Sequence, residues 1–196
     1  MLKAFVLATA LAVASAGAAT AQDAGYANWA AGARAYDRGD YAEAVRVWRI
    51  AGDQGNANAQ FFLGKMYTDG QGVAQNHTEA SRWFRRAADQ GDAVSQYNLG
   101  FNYANGRGVP QNEAEAVRWY RMAADQGLAG AQLNLGVMYA NGRGVPQNYV
   151  EAYKWFALSA AQGIANAVTA RDLVRRQMTA AQIAEGERLA AAWRPR

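Results

Sequence analysis

The chain has 196 residues, no cysteine and a formal net charge of +4, and 51% of its residues are hydrophobic by a broad count. With 18% charged and 11% aromatic residues it is too apolar for a disordered chain, so we expect a packed core. The charge is too small for this length to indicate a nucleic-acid-binding protein.

The N-terminal residues have the pattern of a signal peptide. Residues 1–3 are a short basic start, residues 4–14 are almost wholly apolar, and residues 19–21 read Ala-Thr-Ala, the small-x-small pattern of a cleavage site. A membrane anchor needs about 18–20 consecutive apolar residues, and this run is shorter. We therefore expect residues 1–21 to be cleaved, no membrane span, and a mature chain that is periplasmic or secreted.

Residues 22–55 predict a first pair of helices. Asp40 stands three residues before Glu43, and an aspartate in that position caps a helix because its side chain accepts a backbone N–H of the first turn. The triplet Asp53-Gln54-Gly55 then predicts the end of the helix, since glycine readily takes the left-handed conformation.

From Asp53 onward the sequence repeats with a period of 36 residues. The recurring features are Asp53, Asp89 and Asp125, each in an Asp-Gln-Gly triplet, then Gly64, Gly100 and Gly136, and Trp83, Trp119 and Trp155. A unit of this length accommodates two helices of three to four turns. Residues 56–163 therefore predict three stacked helix pairs, an all-α fold.

The same signals divide each unit. The cap pattern Asn112 with Glu115 opens the second helix, as do Asn76 with Glu79 and Asn148 with Glu151. The first helix ends at an Asn-Gly pair such as Asn141-Gly142, and Gly136 allows a neighbouring helix to approach closely. The connection of residues 105–111 contains Pro110, and the copy with Ala74 in that place is expected to be slightly looser. In the tail, Thr179 predicts the cap of a last helix that ends near Trp193.

These motifs carry a resemblance to a known family. The phrases A-Q-x-N-L-G-x-M-Y, N-G-x-G-V-P-Q-N and E-A-x-x-W-x-x-x-A-A-x-Q-G resemble the Sel-one-like repeat (SLR), a relative of the tetratricopeptide repeat (TPR). Three copies are close to the pattern. Residues 22–55 resemble a degenerate TPR-like pair, because Tyr36 and Tyr41 leave room for only a short loop, and residues 164–196 resemble C-terminal capping helices.

The resemblance implies an α/α superhelical solenoid whose concave groove is lined by the first helices. If the family alignment holds, the candidate peptide-binding residues are Phe61, Lys65, Tyr97, Asn98, Phe101, Leu133, Asn134 and Val137, with Thr68, Ala104 and Ala140 at matching positions. These positions vary between copies, whereas packing positions must repeat in a solenoid. The alternative is that Phe61 and Tyr97 pack against the adjacent repeat.

Other repeated residues have a structural interpretation. Trp83, Trp119 and Trp155 occupy one repeat position, as core residues must. Arg46, Arg82 and Arg118 follow a glutamate by three residues, and Arg49, Arg85 and Arg121 precede an aspartate by four. We therefore expect the charges to be largely neutralised along each helix.

Catalytic and metal-binding motifs are missing. His77 is the single histidine and no cysteine could share a metal with it, and none of the serines lies in a nucleophile motif. We therefore expect no enzyme activity, no cofactor and no metal.

Three functional hypotheses remain. The resemblance favours a monomeric scaffold or adaptor in the bacterial envelope that binds a protein or peptide in its groove. A cell-wall or β-lactam hydrolase, like some cysteine-rich relatives, is weakened by the absence of cysteine. A self-associating structural component of an envelope complex is the third.

Overall fold

The computed structural model describes residues 21–195, with side chains from residue 24 onward, so the predicted signal peptide lies outside the described residues except for its last one. This part of the chain folds into ten helices and no strand: α1 (Ala21–Asp37), α2 (Tyr41–Asp53), α3 (Ala57–Asp69), α4 (His77–Asp89), α5 (Ala93–Asn105), α6 (Glu113–Asp125), α7 (Ala129–Asn141), α8 (Tyr149–Ala161), α9 (Ala165–Arg175) and α10 (Ala180–Ala192).

The helices pack as consecutive hairpins. α1 packs on α2, α3 on α4, α5 on α6 and α7 on α8, and each of α3, α5 and α7 also packs on the second helix of the preceding pair. The extensive contacts therefore join neighbouring pairs, which is the arrangement of a solenoid. The predicted all-α solenoid of stacked helix pairs is confirmed.

The second helices begin at the predicted caps. The Asn112 side chain accepts the backbone N–H of Glu115 at 3.1 Å, and Asp40, Asn76 and Asn148 cap α2, α4 and α8 in the same way. The glutamate side chain pairs with a cation three residues further along, as in Glu79–Arg82 at 2.9 Å. α10 begins with a capping box. The Thr179 side chain accepts the backbone N–H of Gln182, and the Gln182 side chain accepts the backbone N–H of Thr179, so the predicted cap at Thr179 is present.

The connection after each first helix follows one path in all three repeats. Gly106 and Gly108 have φ angles of 66° and 68°, and Asn112 N–H donates to the carbonyl of Tyr103 at 2.9 Å. In the copy with Ala74, Gly70 and Gly72 have φ angles of 70° and 67°, and the corresponding bond is also 2.9 Å. The left-handed glycines and this hydrogen bond give the copy with Ala74 the same path as the copies with proline.

A glycine and an aromatic ring pack together in every repeat. A Cβ placed on Gly136 would lie 2.6 Å from the Phe156 ring, and Gly64 and Gly100 have the same relation to Phe84 and Tyr120. No real Cβ fits at that distance, so the glycine is what allows the two helices of a pair to approach. The repeated tryptophans are core residues as predicted, with Trp119 only 1% exposed.

Buried glutamines connect one repeat to the next. Gln96 on α5 is 1% exposed and donates to the carbonyl of Ala88 at the end of α4. Its own carbonyl oxygen accepts from Gln126 at 2.8 Å, and Gln126 also donates to the carbonyl of Gly91. The same bonds recur at Gln60 with Gln90 and at Gln132 with Gln162. Each buried amide is thus satisfied by the neighbouring pair.

The C-terminal helices depart from the repeat. Arg171 and Asp172 on α9 stand 36 residues after Leu135 and Gly136, so α9 lacks the apolar residue and the glycine that receive a second helix. α10 packs on α8 instead, where Gly186 lies against the Tyr153 ring and the Tyr153 hydroxyl is 3.2 Å from Glu187.

Gly136→Ala should lower the free energy of unfolding by about 1–3 kcal/mol, because the added methyl group overlaps the Phe156 ring. The matched control is Gly130→Ala in the same helix, where a Cβ would lie 3.5 Å from Tyr97 in ordinary contact. That variant should be neutral or up to about 1 kcal/mol more stable, because alanine favours the helix. Chemical denaturation measures both, and equal effects would contradict the packing role of Gly136.

Asn112→Ala should cost about 1 kcal/mol of stability, because the N–H of Glu115 loses its acceptor. Asn76→Ala should behave alike at the start of α4. Asn112→Asp is the control, since aspartate caps equally well and should keep wild-type stability in the same denaturation experiment.

Candidate peptide-binding surface

The first helices α3, α5 and α7 form a continuous face of the solenoid, here called the first-helix surface. Two pockets lie on it, one between α3 and α5 and one between α5 and α7. Five residues of one lining have a counterpart in the other at a spacing of 36: Lys65 with Phe101, Thr68 with Ala104, Asp69 with Asn105, Phe84 with Tyr120, and Asn98 with Asn134. The two pockets are therefore copies of one site.

The first pocket, between α3 and α5, has a charged rim. Its volume is about 160 Å³, and the Phe84 ring lies against Gly64 beneath it. Lys65 Nζ pairs with Asp69 Oδ2 at 2.7 Å, and this hydrogen bond raises the pKa of Lys65. Thr68 donates to the carbonyl of Gly64 at 2.8 Å. The polar side chains on the rim of this pocket are thus already bonded to other groups of the protein.

The second pocket, between α5 and α7, has a largely apolar rim. Its volume is about 150 Å³, and its lining includes Phe101, Ala104 and Val137. The Phe101 ring is 37% exposed, which is unusual for a residue of that size. Tyr120 takes the place of Phe84, and burial raises the pKa of its hydroxyl, which is hydrogen-bonded to Asn134, to about 12.

The equivalent positions at the two ends of the surface are filled. Phe62 stands 36 residues before Asn98, and its ring packs on Trp29 of α1 at a centroid distance of 5.1 Å. Ala170 on α9 stands 36 residues after Asn134 and packs with the core that contains Leu133 and Val137. Compared with Phe62, the smaller side chains of Asn98 and Asn134 leave the space that the pockets occupy.

The structure brings most of the predicted residues to these pockets. Phe61, Lys65 and Asn98 line the first, and Phe101, Asn134 and Val137 line the second. Tyr97 and Leu133 do not line either one. The Tyr97 ring packs on Tyr120 at 5.9 Å, and Leu133 packs into the C-terminal core. Of the two residues for which packing was the alternative, Tyr97 thus has a packing contact and no place in a pocket, whereas Phe61 lines the first pocket and also packs on Phe84. That the surface binds a peptide remains a prediction.

Sequence reasoning missed the floor of the pockets and part of the rim. Phe84 and Tyr120 belong to the apolar stripe of a second helix and read as ordinary core residues. Arg143 lines the second pocket from the connection after α7. The signal that identifies the two rings is their spacing of 36 residues together with the glycines they contact.

The repeated arginines differ from expectation in one set. Arg46, Arg82 and Arg118 pair with the glutamate three residues before them, as predicted. The prediction that Arg85 and Arg121 pair with the aspartate four residues later is wrong. Arg49, Arg85 and Arg121 instead donate to the hydroxyls of Tyr67, Tyr103 and Tyr139 on the following first helix and lie over those rings. These arginines therefore join neighbouring pairs.

Within residues 21–195, no three histidine, cysteine, aspartate or glutamate residues come together as a metal site. No helix in this range is long and apolar enough to cross a membrane. The two pockets are lined by rings, amides and a few charges, which are groups that recognise another molecule by contact.

A repeat solenoid with specialised pockets on its first-helix face defines a class of interaction proteins. The family model described as Sel1 repeat matches residues 57–92, 93–128 and 129–164, which are the pairs α3–α4, α5–α6 and α7–α8. The chain belongs to the Sel1 repeat family. Sel1 repeat solenoids generally serve as protein-interaction scaffolds.

Two solved structures are similar to the chain. A Sel1 repeat protein from Oxalobacter formigenes is 36% identical with a TM-score of 0.71, over 76% of this chain and 61% of that one. A protective antigen present in uropathogenic Escherichia coli strains, displaying an SLR fold, is 28% identical with a TM-score of 0.60, over 86% of this chain and 45% of that one. The chain thus spans about half to three fifths of these neighbours. No curated protein matches it significantly.

Tyr120→Phe should change how stability depends on pH. The folded pKa of about 12 lies above the ordinary value of 10, so ionisation in the unfolded state removes stability as the pH rises from 10 to 12. At pH 11 the wild type should lose about 1 kcal/mol more than Tyr120→Phe, relative to pH 8. Denaturation at both pH values measures the difference, and Phe84 shows that phenylalanine fits this position. Parallel losses in the two proteins would contradict the burial of the hydroxyl.

Proposed function

We propose that the protein is an exported, non-catalytic adaptor that binds a polypeptide of the bacterial envelope along its first-helix surface. The pair of pockets 36 residues apart carries this proposal. The aromatic floor is repeated, whereas the rim changes from Lys65 and Thr68 to Phe101 and Ala104. Residues that only pack must repeat from one unit to the next in a solenoid. The rim residues differ between the two pockets although both floors are aromatic, and this difference supports a role in binding.

The amides on this surface favour an extended polypeptide. The Asn98 side chain donates to the carbonyl of Val94 at 2.8 Å, and Asn105 donates to that of Phe101 at 2.8 Å. Each amide group is thereby held by its own helix, and its carbonyl oxygen is available as an acceptor. An extended chain has backbone N–H groups to offer, whereas those of a helix are already bonded. Aromatic rings beside these acceptors supply the buried area for side chains of the ligand.

The experiment is site-directed photocrosslinking followed by titration. A photoreactive phenylalanine at Phe101 should crosslink an envelope polypeptide, whereas the same group at Arg82, which pairs with Glu79 on a second helix, should not. Intact-mass spectrometry of the secreted or periplasmic protein should give the mass of a chain that begins at Gln22. Light scattering should show a monomer without its partner. A stable homo-oligomer whose crosslinks join two copies at Phe101 would instead favour the self-associating component.

For the captured partner, Phe101→Ala should weaken binding by about 2 kcal/mol, because central aromatic residues dominate such interfaces. Arg82→Glu with Arg118→Glu, on the second helices, should change the affinity by less than about 0.5 kcal/mol. Titration calorimetry measures both, with circular dichroism to check helical content. A strong loss in the arginine variant alone would move the site to the opposite face.

A further inference from the structure

Arg143 lines the second pocket and has an equivalent one repeat earlier, Arg107, and of the two only Arg143 is neutralised. Arg143 lies in the connection after α7, and its Nε donates to Glu113, the first residue of α6, at 2.7 Å. Arg107 lies 36 residues earlier, and the position 36 residues before Glu113 is His77, the first residue of α4. The carboxylate that neutralises Arg143 thus has no counterpart for Arg107.

Arg107 accordingly has a different environment. Within residues 21–195 it forms no salt bridge, and it is exposed. Its guanidinium lies over the Phe101 ring, 5.7 Å from the centroid, and Phe101 in turn lines the second pocket. The stacked arrangement holds the planar group beside the most exposed ring of the first-helix surface while its N–H donors stay free.

The backbone of Arg107 is fixed by polar residues that the other repeats lack. The carbonyl of Arg107 accepts from Ser81 at 3.1 Å, and Ser81 accepts from the buried amide of Asn102 at 2.9 Å. The matching positions one repeat later are Val117 and Met138. This part of the connection is therefore tied to α4 and α5, and the charge of Arg107 is presented from a defined point.

The other charges of the two pockets are compensated within the protein. Lys65 pairs with Asp69, and Arg143 pairs with Glu113. Arg107 leaves one uncompensated positive charge next to an apolar pocket. A carboxylate is the group that pairs with a guanidinium through two parallel hydrogen bonds, and an apolar side chain is what the pocket of Phe101 and Val137 can bury.

We infer that the ligand of the first-helix surface is an extended acidic and apolar segment of a partner polypeptide. An aspartate or glutamate of that segment pairs with Arg107, and a neighbouring apolar side chain enters the second pocket against Phe101. This inference rests on the proposed function and specifies the chemistry of its partner. It also assigns His77 a role: by replacing the glutamate found one repeat later, it leaves Arg107 to the ligand.

The probe is a positional-scanning library of nine-residue peptides, bound to the purified protein and followed by fluorescence anisotropy. Peptides with Asp or Glu next to Leu, Ile, Phe or Met should be selected. For a selected peptide, Arg107→Gln should weaken binding about fivefold, the size of an exposed ion pair. Replacing the acidic residue of the peptide by its amide should weaken wild-type binding by the same factor, with no further loss in Arg107→Gln.

His77→Glu is the sharper variant, because it leaves Arg107 in place. The new glutamate at the first position of α4 reproduces Glu113 at the first position of α6 and favours the helix start. It should pair with Arg107 and weaken peptide binding about fivefold, with no added effect in the Arg107→Gln background. His77→Gln is the control and should bind as the wild type.

The outcomes separate the two proposals. Selection of basic or uncharged peptides, or unchanged affinity in Arg107→Gln, overturns the acidic ligand while peptide binding itself stands, provided that Phe101→Ala weakens it. If the wild type retains no peptide and no partner is crosslinked at Phe101, the proposed function is overturned together with this inference.

Discussion

The absence of one side chain determines how each helix pair is built. At Gly64, Gly100 and Gly136 a Cβ would overlap the ring of Phe84, Tyr120 or Phe156. The ring therefore reaches between the first helices. Phe84 and Tyr120 in this way form the floors of the two pockets. A single packing constraint thus sets both the spacing of the helices and the depth of the surface they present.

Polar contacts rather than further apolar area fix how one pair sits on the next. The buried amide of Gln96 bonds the carbonyl of Ala88 before it and accepts from Gln126 after it. Arg85 also joins two pairs, because it donates a hydrogen bond to the hydroxyl of Tyr103 on the following first helix. Since a buried amide without partners costs free energy, a displaced repeat would leave several such groups unsatisfied. These bonds select one stacking geometry among those that would bury similar area.

The sequence allowed local features to be predicted well and contacts between pairs less well. The caps at Asn112 and Thr179 depend on residues three apart, so the signal and its cause lie within one turn. The partner of Arg85 is 18 residues away on another helix, and the aspartate four residues along offered an equally plausible pairing. The pocket residues Phe101 and Val137 followed from the family alignment, whereas Tyr97 and Leu133 share that alignment and turn toward neighbouring side chains. Which variable residues stay open depends on the volume of their neighbours, and this requires coordinates.

The change of packing at the C-terminal end has an evolutionary consequence. Each regular pair meets its neighbours through the same contacts, so duplication of a 36-residue unit between existing pairs creates no new kind of junction. After α8 the situation differs, because α10 occupies the flank of α8 and α9 has Arg171 and Asp172 where a growing array needs leucine and glycine. Lengthening by duplication is thus compatible with the junctions between the regular pairs and incompatible with the junction after α8, so new binding surface would arise between existing repeats.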